Sequence, residues 1–167
     1  EYGFSVALTY KDFDFSTFFQ GIGSRDVWAV GQTGIPGFMP GEGWLEHQMD
    51  YWTPENTDAL YPTPTSHSWI NNGQNFLRQT RYLQNMSYLR CKNITLGYTV
   101  PEKWMKVITF TSGRIYVSAE NLFEFDHTNI PVDPETTEKA AASNGEYKFG
   151  KSYPFMRSIS FGVQLTF

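Results

Sequence analysis

Alternation of apolar and polar residues with a period of two is the feature that most constrains the fold of this chain. It is cleanest near the carboxyl end, where every second residue is apolar: Ile159, Phe161, Val163, Leu165 and Phe167. Successive side chains of a β-strand point to opposite faces, so this pattern predicts a strand with one apolar face. The same alternation recurs at residues 4–10, 13–20, 94–100 and 115–119. The sequence therefore predicts an all-β chain of about five antiparallel strands.

The segments that connect these strands differ strongly in length. Residues 11–12 and 101–113 are short connections, and the second contains EKWMKVI, which predicts one helical turn after a proline. Residues 22–86 and 124–152 are long and rich in Gly, Pro, Asn, Thr and aromatic residues. Since the strands are expected to run antiparallel, both long connections should leave the same end of the sheet. Outer-membrane barrels sort their loops in this way, with short periplasmic turns and long extracellular loops.

Composition narrows the possible environments of such a sheet. The polar sides of the strands carry Ser, Thr, Gly, Gln and Asn more than Lys and Glu, which suits a wet barrel interior better than an ordinary soluble surface. The formal net charge is -4, and the absence of a basic stripe argues against nucleic-acid binding. The longest apolar run, residues 27–30, is far shorter than the roughly 20 residues of a membrane helix. A membrane-spanning strand needs only about 9 to 11 residues, so strands remain possible membrane elements.

Five stretches carry motifs that resemble a single family, and they occur in the order found in that family: YKDFDFSTFFQGIG, DYWTPENTDALYPTPT, YLRCKNITLGYTVPEKW, RIYVSAENLF and SISFGVQLTF. They resemble the C-terminal part of SusC/RagA-type TonB-dependent outer-membrane transporters. The resemblance spans nearly the whole chain and is least diagnostic at residues 22–43 and 124–152.

The resemblance implies a fold, a location and a set of partners. Residues 1–167 would supply the last strands of a transmembrane barrel of about 22 strands in the outer membrane of a Gram-negative bacterium. Residues 22–86 and 124–152 would be extracellular loops, and the plug domain would lie upstream of this chain. Because the chain starts abruptly in a strand, we expect a nicked or truncated piece of a longer protein.

The function implied by the resemblance is import of oligosaccharides or peptides together with a SusD-like surface lipoprotein. TonB would act through an upstream segment. The other expected partners are the remainder of the barrel and its plug, the barrel assembly machinery and outer-membrane lipid. No cofactor is implied.

The first long connection contains aromatic residues interleaved with Asn, Gln, Asp and Glu: Trp28, Trp44, Tyr51, Trp52, Tyr61 and Trp69. Flat rings stack on the C–H faces of sugars while amides and carboxylates bind hydroxyl groups, so this composition suits substrate contact. A loop of this length also needs a small core of its own, so the same residues suit packing or contact with the lipoprotein. Both interpretations are open at this point.

Two arginines lie at equal offsets on their predicted strands. Arg157 shares the parity of the apolar residues and precedes Phe167 by ten positions, a span of roughly 25 Å at about 3.3 Å per residue and a tilt near 40°. Arg90 has the same offset from Val100. We expect both cations to reach outward to lipid phosphates at the outer rim of the barrel. The alternative is that each marks a bulge or a strand end.

The apolar residues of the last strand also resemble the C-terminal signal that the barrel assembly machinery reads. These residues are Phe161, Val163, Leu165 and Phe167. Simple contact with lipid is the alternative, and the two roles are compatible.

Catalysis has little support in the sequence. His47, His67 and His127 follow no metal-binding spacing, so no metal site is predicted. Cys91 has no histidine nearby and falls on the predicted lumen-facing side of its strand, which indicates a buried, inert thiol. We therefore expect no enzyme.

Two rival classes remain to be compared with the transporter. A soluble carbohydrate-binding β-sandwich module would explain the strands and the aromatic residues, but not the sorted connections or the terminal aromatic residue. A secreted glycoside hydrolase fragment would need a pair of carboxylates that converge across a cleft, and no such pair is evident.

Overall fold

The computed structural model of the chain describes residues 1–37, 41, 43–64, 73–75, 77–136 and 149–167. These residues divide into two compact units. The sheet unit comprises Glu1–Gly23, Tyr88–Asp126 and Phe155–Phe167. The loop unit comprises the described residues of Ser24–Ser87 and His127–Pro154.

The described residues form eight β-strands and two short α-helices. In chain order the strands are β1 (Tyr2–Tyr10), β2 (Phe13–Ile22), β3 (Asp26–Trp28), β4 (Leu83–Asn85), β5 (Tyr88–Val100), β6 (Ser112–Glu120), β7 (Glu124–Asp126) and β8 (Ser158–Thr166). The helices are α1 (Gly31–Gly34) and α2 (Glu102–Val107), and 3-10 turns lie at Glu46–Gln48 and Thr80–Tyr82. No helix in this part of the chain is long and apolar enough to cross a membrane.

Five long antiparallel strands make up the sheet unit, in the order β1-β2-β5-β6-β8. The short strand β7 pairs with β5 beyond the end of β6. The predicted number and antiparallel arrangement of the strands are confirmed, and so is the helical turn between β5 and β6, which is α2.

Register brings the apolar residues of all five long strands to one face, here called the apolar face. Residues directly opposite each other on neighbouring strands point to the same side of a sheet. One row across the sheet runs through Leu8, Phe15, Leu96, Val117 and Phe161. The two ends of this row are exposed, Leu8 by 61% and Phe161 by 85%. A sheet with such a face needs a non-aqueous or protein surface against it.

The opposite face of the sheet is polar and closely fitted. One row contains Asp14, Gly97, Tyr116 and Gly162. Arg114 Nε donates to Asp14 Oδ1 at 2.9 Å, and both side chains are partly exposed. The Tyr116 ring lies over Gly162 so closely that a Cβ at that glycine would collide with it. Glycine at position 162 therefore leaves room for the Tyr116 ring, so β6 and β8 can pair in this register.

The two ends of the sheet differ in their connections. β1 and β2 are joined by a tight turn in which Lys11 has a φ of 54°, and α2 joins β5 to β6. Both long connections leave the other end, where Ile22 pairs with Tyr88 and Glu120 pairs with Ser158. The expected sorting of short and long connections to opposite ends is therefore present.

A β-bulge interrupts β5 near its first residues. Phe18 of β2 pairs with Asn93, but the next residue, Phe19, pairs with Cys91. The pairing register with β2 therefore skips Lys92 of β5, which is the extra residue of the bulge. The residues of β5 before the bulge therefore point to the opposite faces from those that simple alternation predicts.

The bulge corrects two predictions that were counted by alternation along β5. Cys91 lies on the apolar face rather than the lumen-facing side, because it pairs with Phe19. Arg90 pairs with Gln20 and lies on the polar face, opposite to that of Val100. Alternation counted from Val100 was wrong for both residues because it crosses the bulge.

The loop unit has cores of its own. Ala29, Val30 and Met86 from the first long connection pack with Ile130 and Phe149 from the second. Both long connections therefore contribute to a single cluster, which we call the shared core. A second cluster contains Ile35, Tyr61 and Tyr82, with Trp44, Tyr51 and Leu60 packed against it. The small sheet of β3 and β4 also belongs to this unit.

Candidate functional site

The aromatic residues predicted to contact substrate or lipoprotein separate into two groups. Tyr61 is only 2% exposed and stacks on Tyr82 with ring centroids 6.2 Å apart. Trp44 and Tyr51 contact each other edge to face at 5.8 Å and pack beside the same cluster. These three predicted residues support the loop unit from within.

The second group lies at the surface. Trp52 is 44% exposed, and Trp28 is 42% exposed with its Nε1 donating to the Gln79 carbonyl at 3.2 Å. Trp69 lies outside the described residues. Of the predicted set, Trp28 and Trp52 are therefore the described aromatic residues with substantial surface to offer a partner.

A closed turn positions Trp52. The Trp52 N–H donates to the Tyr61 carbonyl at 2.9 Å, and the Tyr61 N–H donates to the Asp50 carbonyl at 3.0 Å. Asp50 also accepts from Asn56 Nδ2 at 3.0 Å and from the Leu60 N–H at 3.1 Å. These bonds, the one from Asn56 first, hold the pKa of the Asp50 carboxyl below its usual range. The carboxylate thus ties the turn together around the exposed indole.

Beside this turn lies a cleft of about 460 Å³, here called the Trp52 cleft. The described residues that line it are Trp52, Leu60, Tyr61, Pro62, Thr63, Asn75, Gln79, Arg81 and Tyr82. Two buried tyrosines, Tyr61 and Tyr82, form its floor. Burial raises the pKa of Tyr61 to about 12 and also raises the pKa of Tyr82, so both phenols are neutral at physiological pH.

Arg81 supplies a cation at this cleft. Its Nη1 donates to the Ala59 carbonyl at 2.6 Å and to the Leu60 carbonyl at 3.3 Å, which fixes the guanidinium in place. A second depression of about 430 Å³ shares Leu60 and Arg81 and is also lined by Asp50 and Asp58. An aromatic face, a fixed guanidinium and nearby amides and carboxylates can bind a ligand that combines apolar faces with hydrogen-bonding groups.

Sequence reasoning identified Trp52 and Tyr61 but missed Arg81, Tyr82, Asn75 and Gln79. These four residues lie 14 to 21 positions after Tyr61 in the chain, and no motif or periodicity joins the two segments. Arg81 contacts backbone carbonyls, which all residue types have, so the sequence does not reveal this contact.

Arg90 is held inside the sheet unit rather than directed outward. It is 2% exposed, and its Nε donates to Glu124 Oε2 at 2.8 Å. Its guanidinium also lies 5.8 Å from the Tyr88 ring and 5.3 Å from the Phe155 ring. The expectation of an outer-rim lipid contact for Arg90 is therefore corrected, since the bulge turns the side chain towards an ion pair and two rings.

The other predicted positions at the sheet have not been tested in their roles. Arg157 is exposed and directly precedes β8. The residues of the predicted assembly signal lie on or next to the apolar face and are all exposed: Phe161, Val163, Leu165 and Phe167. Contact with lipid and recognition during assembly remain predictions for these residues.

Metal and nucleophile chemistry receives no support from the part of the chain that is described. No group of three or more His, Cys, Asp and Glu side chains there could hold a metal ion. His47 Nε2 lies 2.8 Å from the Thr33 carbonyl oxygen, His127 Nδ1 lies 3.1 Å from Ser87 Oγ, and His67 is outside the described residues. The Cys91 thiol is buried.

Comparison with known proteins adds to this picture. No protein-family model matches the chain. It is 28% identical over 99% of its length to TonB-dependent receptor P3 of Formosa agariphila, and 28% identical over 99% to TonB-dependent receptor P26 of the same organism. This chain resembles TonB-dependent receptors over nearly its whole length. It is also 31% identical to TonB-dependent receptor SusC of Bacteroides thetaiotaomicron over 57% of its length.

The chain spans only 16% and 17% of the length of the two Formosa receptors and 9% of SusC. Among solved structures, the RagAB peptide transporter matches 99% of this chain and 17% of its own, with a TM-score of 0.65 and 24% identity. The RagAB peptide importer in its closed-closed state matches with a TM-score of 0.61 and 23% identity over the same shares.

These matches confirm the resemblance to SusC/RagA-type TonB-dependent receptors and the all-β fold predicted for the chain. Its five long strands have the fold of part of such a barrel. The named relatives are receptors and transporters rather than enzymes, in agreement with the prediction for this chain.

Proposed function

We propose that this chain is part of an outer-membrane, TonB-dependent transporter that imports oligosaccharides or peptides together with a SusD-like lipoprotein. The observation that carries the proposal is the exposed apolar face formed in register by five strands, in a chain similar to TonB-dependent receptors over 99% of its length. A membrane barrel turns such a face to lipid and keeps the polar face towards a wet interior. A soluble β-sandwich would instead bury its apolar face.

In this proposal residues 1–167 are the C-terminal segment of the barrel. Residues 22–86 and 124–152 are extracellular loops, because both connections leave the end of the sheet opposite to the short turns. The plug and the segment that contacts TonB belong to other parts of the protein. The apolar residues of β8, with Phe167, contact lipid and carry the signal for the barrel assembly machinery.

The Trp52 cleft is the proposed contact site for substrate. Its indole suits the C–H face of a sugar or an apolar side chain of a peptide, and Arg81 suits hydroxyl, carbonyl or carboxylate oxygens. Trp44, Tyr51 and Tyr61 have a supporting role because they pack within the loop unit. Trp28 is the candidate for contact with the lipoprotein.

Two aromatic-to-alanine variants of the full-length protein test this assignment. Trp52→Ala is the test, and Tyr153→Ala is the control because Tyr153 is 88% exposed in the same unit and does not line the cleft. Cells that make the transporter and its lipoprotein would be assayed for uptake of dextrins, β-glucan oligosaccharides and casein peptides.

We expect Trp52→Ala to lower the affinity for the transported compound by about tenfold, the loss of roughly 1.4 kcal/mol of ring stacking, while the amount of assembled barrel is unchanged. Tyr153→Ala should leave substrate affinity close to that of the parent protein. Equal affinities for Trp52→Ala and the parent would reject the cleft. Absence of uptake of every compound by the assembled parent protein would reject import of these substrate classes.

A further inference from the structure

Helix α2, which joins β5 to β6, is amphipathic despite its length. At about 100° per residue, the helix and its C-terminal cap residue group their apolar side chains into one continuous arc. That arc consists of Val107, Trp104, Ile108 and Met105. The charged side chains occupy the other side: Glu102, Lys103 and Lys106. Lys106 Nζ lies 3.2 Å from Glu102 Oε2, and both of these side chains are exposed.

One member of the apolar arc attaches the helix to the sheet. Met105 is 7% exposed, and its Sδ occupies the space that a side chain at position 113 would need. Gly113 pairs with Val100 on one side and with Leu165 on the other, so it belongs to the apolar face. The helix is therefore anchored at the edge of that face, and its apolar arc continues the apolar face beyond the last residues of the strands.

The rest of the arc is open. Trp104, Val107 and Ile108 are 66%, 82% and 51% exposed. Three large apolar side chains at the surface of one helical turn form an interaction surface, since water would solvate them unfavourably. Their continuity with the apolar face indicates what covers them. Leu165 and the apolar arc of α2 belong to one surface, so the medium that contacts Leu165 also contacts α2.

We propose that α2 is an interfacial anchor that lies in the boundary of a phospholipid bilayer. Trp104, Val107 and Ile108 enter the upper part of the acyl region, and Lys103 remains among the head-group phosphates. Tryptophan favours this depth because its indole combines a large apolar ring with an N–H donor, and lysine reaches the phosphates with a flexible apolar stem. The inference rests on the proposed function, in which the apolar face of the sheet contacts lipid.

Spin-label accessibility tests the anchor in the full-length transporter, reconstituted in vesicles of phosphatidylethanolamine and phosphatidylglycerol. A nitroxide would be attached at Val107→Cys on the apolar arc and, as a matched control, at Lys103→Cys on the charged side of the same helix. Phe161→Cys on the apolar face of β8 provides the reference for lipid. Native Cys91 is buried and stays in place, with mock-labelled parent protein as the control.

Collisions with oxygen, which concentrates in acyl chains, are compared with collisions with a water-soluble nickel chelate. We expect an oxygen-to-nickel ratio at position 107 several-fold higher than at position 103 and close to that at position 161. A high nickel accessibility at position 107, with lipid-like values at position 161, would overturn the anchor and leave the barrel intact. Low accessibility to both reagents at position 107 would mean that another protein segment covers the helix, which also overturns it. Water-like values at position 161 would instead reject the proposed membrane barrel itself.

Discussion

The sheet unit and the loop unit treat large apolar side chains in opposite ways. In the sheet unit Leu8 and Phe161 are 61% and 85% exposed, whereas in the loop unit Met86 and Phe149 are 0% and 2% exposed. The loop unit packs Met86, Phe149 and other apolar residues into two buried clusters, as a water-soluble domain does. The sheet unit exposes its apolar residues in rows, which lowers the free energy of the chain only if the surroundings are apolar too. The chain thus contains one unit that buries large apolar side chains and one that exposes them on a single face. Substitutions can perturb each unit separately.

The largest effect is expected from Phe149→Ala in the shared core. Phe149 packs with residues of both long connections, and its loss would leave a cavity worth about 3–5 kcal/mol. We expect the loop unit to become sensitive to protease and the heat-modifiable gel mobility of the barrel to persist. Tyr153→Ala is the control, since Tyr153 is 88% exposed in the same unit. If the barrel also loses its heat-modifiable gel mobility, the stability of the sheet unit depends on the core of the loop unit. The two units would then not be stabilised separately, contrary to what the burial of their apolar residues indicates.

A smaller effect is expected from Gly162→Val in the sheet unit. The new side chain would collide with the Tyr116 ring and force β8 away from β6, at a cost of about 1–3 kcal/mol. We expect less assembled, heat-modifiable barrel, while protease resistance of the loop unit in the assembled fraction is retained. Gly43→Val is the matched control because nothing lies near a Cβ at that glycine.

Removal of the opposing ring tests the cause of that effect. Tyr116→Ala combined with Gly162→Val should assemble better than Gly162→Val alone, because the collision is relieved. If the double variant assembles no better, the ring over Gly162 is not what fixes the register of β8.

Sequence alternation predicts the sheet unit well and the loop unit poorly, for a physical reason. A strand repeats every two residues, so the apolar sides of β1, β2, β6 and β8 are visible in the sequence. The bulge at Lys92 breaks this repeat by one residue, and every parity counted through it was wrong. Bulges depend on how a neighbouring strand pairs, and that information is absent from the strand itself.

The loop unit lacks any such repeat. Met86 and Phe149 meet in one core although 63 positions separate them in the numbering, and no local pattern links the two connections. The same limit applies to the Trp52 cleft. Its exposed tryptophan belongs to a conspicuous aromatic stretch. Arg81, in contrast, is held at the cleft by hydrogen bonds to the backbone carbonyls of Ala59 and Leu60, and every residue type has such a carbonyl.

The smallest effect is expected from acid, and it should fall on the loop unit. The hydrogen bonds from Asn56 Nδ2 and the Leu60 N–H lower the pKa of Asp50 in the folded turn. The resulting stabilisation is therefore present above the ordinary carboxyl pKa of 3.8 and is lost as the pH falls through the lower folded value. Protease resistance of the turn, compared between pH 5 and pH 3, should decline in the parent protein and decline less in Asp50→Asn.

Asp58→Asn is the matched control for Asp50, being an aspartate in the same turn that accepts none of these bonds, and its acid response should follow that of the parent. The heat-modifiable gel mobility of the barrel should be the same for Asp50→Asn and the parent, since Asp50 belongs to the loop unit alone. An Asp50→Asn variant with the full acid response of the parent would show that other carboxylates close the turn. The exposed indole of Trp52 would then depend on contacts other than those of Asp50.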